Sequence, residues 1–220
     1  MLLMKLDWTQ PLVFQIPPGS TAATSGWVLV DLPLAQFTPE QQVKFKIHEI
    51  TDPAMIEALT HLEYHVLEDG SVVKGGTVGD HSDEVHNYEN HLTAFPTIDS
   101  EHLPHFINAI KYVSKIECQD HFDTKFAALT PVHSTLETST FPQQLAEAQA
   151  YQSNPAYPTP LLSVLSQGSG MSVAELAQRA IDRNSAYEGQ KASLLAEMLG
   201  DLLEIDNCTT ALEVKKLGYI

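Results

Sequence analysis

Positive charge is scarce in this chain: twelve Lys and Arg stand against 28 Asp and Glu, a formal net charge of -16. A surface of that sign repels phosphate backbones, so direct nucleic-acid binding is not expected. It favours solubility and basic partners and carries no information on fold. Cysteine is nearly absent. Cys118 and Cys208 lie far apart, belong to no CxxC pair, and read as two free thiols in a reducing compartment. No apolar run approaches the roughly 18 residues that a membrane helix needs, and Met1 to Asp7 is too short and too soon charged for a signal peptide. The expectation is a soluble protein without a membrane anchor. G-x-S-x-G, P-loop and G-x-G-x-x-G patterns are also missing, and no catalytic residue is assigned.

What is present divides the 220 residues into two styles of sequence. From Leu12 to about Gly76 the signals are those of strands. Leu12 to Ile16 ends at Pro17-Pro18-Gly19, and Trp27-Val28-Leu29-Val30 stops before Pro33. Val43, Phe45 and Ile47 alternate with Lys44, Lys46 and His48, the period of a strand with one wet face. Leu62, Tyr64 and Val66, the turn pair Asp69-Gly70, and Val72-Val73 predict a β-hairpin. Asp52-Pro53 predicts a short capped helix. Leu103 to Val113 reads as a helix, although Ile110 to Ile116 is equally compatible with a strand.

Beyond Asp120 the chain reads as helical. Pro131 marks a kink or break, and Thr138-Ser139-Thr140 offers N-caps for a helix over Pro142–Tyr151, closed by Ser153-Asn154-Pro155. Thr159-Pro160 opens a short helix that stops at Gly168. Ser172-Val173-Ala174-Glu175 fits the S-x-x-E capping box, in which hydroxyl and carboxylate each accept an orphaned backbone N–H. Behind it Val173, Leu176, Ala180 and Ile181, and later Leu194, Leu195, Met198, Leu199, Leu202 and Leu203, recur at helical spacing with no Pro before Ile205. One long helix is expected, covered at both ends and more exposed between Asp182 and Ser193. Thr210 and Glu213 repeat the capping pattern for a last helix, with Gly218 after its end.

These readings predict an α+β protein. A small antiparallel β-rich domain over 1–102, with a His- and acid-rich loop near 76–100, precedes a helical arm over 103–220. The β-rich part is expected to fold without the arm. The residues expected to contact a neighbour are Val173, Leu176, Ala180, Leu194, Leu195, Met198 and Leu202.

Histidine is the one residue type with chemical potential. His61 and His65, His102 and His105, and Cys118 and His121 have pairwise ligand spacing, but no set of four assembles. His81, His86 and His91, among Asp80, Asp83 and Glu84, are the better metal candidates, set on a surface loop. The competing reading is an acidic solvated loop with incidental histidines, and no cofactor is assigned.

Phe141-Pro-Gln-Gln-Leu-Ala-Glu-Ala148, then Thr159-Pro160, then Val173-Ala-Glu-Leu-Ala177 and a short terminal helix resemble the C-terminal helical segment of tailed-bacteriophage tail, tail-fibre and fibre-assembly proteins. The similarity covers about a third of the chain. Its long helix is more acidic than usual in that group and is interrupted by Asn184, Ser185 and Gly189. The resemblance implies a virion structural component, homo- or hetero-oligomeric, made in the host cytoplasm and partnered by other virion proteins. A tail-fibre assembly chaperone absent from the mature particle is one alternative, and a metal-dependent enzyme using the histidine loop is another.

Overall fold

Short apolar runs between turn residues become the strands β1 (Leu2–Lys5), β2 (Thr21–Ala22), β3 (Trp27–Val30) and β4 (His48–Glu49). The computed structural model describes residues 1–5, 21–22, 26–62, 64–74, 97–129 and 135–219. The strands form an antiparallel sheet in the order β2-β3-β1-β4, with Leu3 opposite Leu29 and Met4 opposite Val28. Alternate side chains enter two cores. Leu3, Trp27 and Leu29 meet Phe106, Ile110 and Val113, while Leu2, Met4, Val28 and Val30 meet Phe37 and Phe45. Burial on both faces explains why these strands are continuously apolar rather than alternating. The Leu12–Ile16 run lies outside the described residues.

The strand expected around Val43, Phe45 and Ile47 is instead a helix, α1 (Pro39–Lys44), followed by a turn. Thr38 and Gln41 form a reciprocal capping box, and Pro39 presets the first helical residue. This local nucleus overrides the period-2 pattern: Phe45 turns into the core at 5% exposure and Val43 stands 80% exposed. Asp52 caps α2 (Pro53–Leu59) through the Ala54 N–H. The hairpin β5 (Tyr64–Val66) and β6 (Val72–Lys74) forms as expected. Its turn needs Gly70, whose φ of +87° suits glycine and whose missing Cβ faces Leu212.

The long helix α3 (Leu103–Leu129) resolves the helix-or-strand ambiguity, with Phe106, Ala109, Ile110, Val113 and Ile116 on its buried stripe. Glu117 on the same helix accepts the Trp27 indole N–H at 2.8 Å and is paired with Lys5 and Lys46. These bonds tie α3 to β1 and β3.

The chain forms two compact units, Met1–Cys118 together with Leu202–Ile220, and Gln119–Asp201. The division therefore falls after Cys118 rather than after residue 102, because the first turns of α3 supply five of the sixteen buried residues in the core under the sheet. The terminal segment belongs to that core as well. Cys208 and, on α7 (Ala211–Lys216), Ala211 and Val214 are buried in it, so the β-rich part is not complete without residues 202–219. The predicted Thr210–Glu213 box is formed, and Lys215 donates to the Val66 carbonyl at 2.7 Å. Cys118 and Cys208 are buried and form no disulfide.

The second unit contains α4 (Thr135–Ser153), α5 (Pro160–Ser169) and most of α6 (Val173–Asn207). Helix α4 starts before the expected caps and carries Pro142 within it. Pro131 lies outside the described residues. Helix α5 ends at Gly170, at φ +73°, rather than at Gly168. Thr159 makes no side-chain cap to α5; Glu147 of α4 reaches across instead. It is 7% exposed and accepts the N–H groups of Leu161 at 3.2 Å and Leu162 at 2.9 Å, with Gln143 holding it at 3.0 Å. Ala148, Leu162 and Ala177 form the centre of this unit's core.

Candidate docking surface

Helix α6 is 35 residues long and opens on the predicted capping box, with the Ser172 hydroxyl accepting the Glu175 N–H and the Glu175 carboxylate accepting the Ser172 N–H. The seven residues expected to contact a neighbour separate into two groups. Val173, Leu176 and Ala180 pack against the chain's own Ala148, Leu162 and Ala177 and serve an internal core. Leu194, Met198 and Leu202 are half-buried, whereas Leu195 is 51% exposed. Leu199 and Leu203, which belong to the same apolar run, are 55% and 61% exposed. Leu195, Leu199 and Leu203 follow one another at four-residue steps, so on a helix they form a single row. The middle of α6 is not bare: Tyr187 is half-buried and its ring lies 6.3 Å from that of Phe126.

The histidines give a different picture from the sequence. His81, His86 and His91 lie outside the described residues. The rings of His61 and His102 stand 4.9 Å apart and those of His61 and His105 5.7 Å apart, so His61 meets the His102/His105 pair at the start of α3. Among the described residues no group of three or more His, Cys, Asp or Glu side chains is placed to hold a metal ion.

A groove of about 210 Å³ lies between α2 and α3, lined by Met55, Asn108, Lys111, Tyr112, Lys115 and Asp206 among others. Its two lysines are already engaged at the end of α6. Lys111 donates to the Asp206 carbonyl at 2.9 Å, and Lys115 pairs with the Asp206 carboxylate. Cations at a helix C-terminus are stabilising, so the cluster has a structural explanation. Burial pushes the Tyr112 phenol above its ordinary range, which leaves it protonated and able to donate.

No helix among the described residues is long and apolar enough to cross a membrane. No protein-family model, no curated protein and no solved structure matches the chain.

Proposed function

We propose that this protein is a structural component of a tailed-bacteriophage particle, in the tail, baseplate or tail-fibre region, where it acts as an adaptor. The observation that carries this reading is the exposed row Leu195, Leu199 and Leu203 on α6. A row of leucines that the chain's own core does not cover, in a protein of net charge -16, supports burial against another protein. Amphipathic helices dock through such i, i+4 anchors. The resemblance of the segment from Phe141 to Leu217 to phage tail proteins supplies the particle. In this role the helical segment gives the apolar seam, the β-rich unit docks on a neighbouring virion protein, and no cofactor is needed.

Mass spectrometry of purified particles tests the reading. Finding the chain there at defined stoichiometry supports a structural component. Finding it in infected cells but not in particles replaces that reading with the assembly chaperone. A stoichiometric transition metal in untagged protein, lost on replacing His81, His86 and His91 by Ala, would replace it with the metalloenzyme.

A further inference from the structure

We draw no further inference here: the strongest candidate, the groove between α2 and α3 lined by Met55, Asn108, Lys111, Tyr112 and Lys115, carries nothing because Lys111 and Lys115 are already engaged by the carbonyl and carboxylate of Asp206 and nothing in the structure shows what would occupy it.

Discussion

The Glu147 carboxylate caps a helix to which it does not belong, accepting the Leu162 N–H at 2.9 Å across fourteen intervening residues. The residue placed to cap α5 locally, Thr159, makes no such bond. Glu147 also brings negative charge to the positive end of the α5 dipole. Glu147→Ala should cost about 2 kcal/mol, because two backbone donors lose a buried charged acceptor. Glu147→Gln keeps one acceptor oxygen and should cost about half as much. Urea unfolding of the two variants checks both values.

Leu195→Asp and Leu162→Ala should behave oppositely. Leu195 is half exposed, so an aspartate there should change monomer stability by less than about 1 kcal/mol while abolishing association. Leu162 is 1% exposed and central to its core, and its truncation should cost about 3 kcal/mol without altering the exposed row. Paired unfolding and light-scattering measurements separate the two effects.

A chain ending at Ser139 should lose the β-rich unit as well as the helical one. The deletion removes Cys208, Ala211 and Val214 from the core that contains Leu3, Trp27 and Phe106. Near-ultraviolet circular dichroism of the Trp27 region should collapse. A sharp native signal in the truncated chain would show that the sheet holds without them.

Two helix caps should weaken in acid. Glu175 is held below its ordinary pKa chiefly by the Ser172 hydroxyl, and Glu213 chiefly by the Thr209 N–H. With depressed folded values, their stabilisation is complete above the unfolded value of about 4.3 and is lost as pH falls through the lower folded ones. Amide proton shifts of Ser172, Thr209 and Thr210 should titrate with midpoints below the ordinary glutamate value. A midpoint above it would contradict the capping geometry.

Ser114 is fully buried on α3, and its hydroxyl has no hydrogen-bond partner among the described residues. Ser114→Ala removes an unsatisfied polar atom and should raise stability by about 1 kcal/mol. Thermal unfolding gives the sign directly.

The elements legible in the sequence are those with local determinants. Asp52, Ser172 and Thr210 announce their helices because each cap and its N–H lie within three residues. Asp69-Gly70 announces its hairpin for the same reason. The strand expected over Val43, Phe45 and Ile47 gave way to a stronger local signal, the Thr38–Gln41 box, which takes Pro39 to Lys44 into a helix. Non-local choices left no such trace. Strand β1 is four residues long, and its pairing with β3 is visible only once both faces are covered. Glu147 looks like an ordinary helix glutamate until α5 is folded against it. Within the candidate surface, Val173 and Leu195 have the same periodic signature. Only the packed structure separates the one facing Ala148 from the one facing solvent.

The placement of Ile205, Cys208, Ala211 and Val214 in the first unit bears on how the protein is born. Synthesis proceeds from the N-terminus, so the sheet strands emerge long before the residues that seal them. While translation runs from about Cys118 to Leu202, the nascent chain carries an open apolar face that must be shielded or kept from its neighbours on the polysome. Maturation of the β-rich unit thereby waits for residues 202–219 to be made.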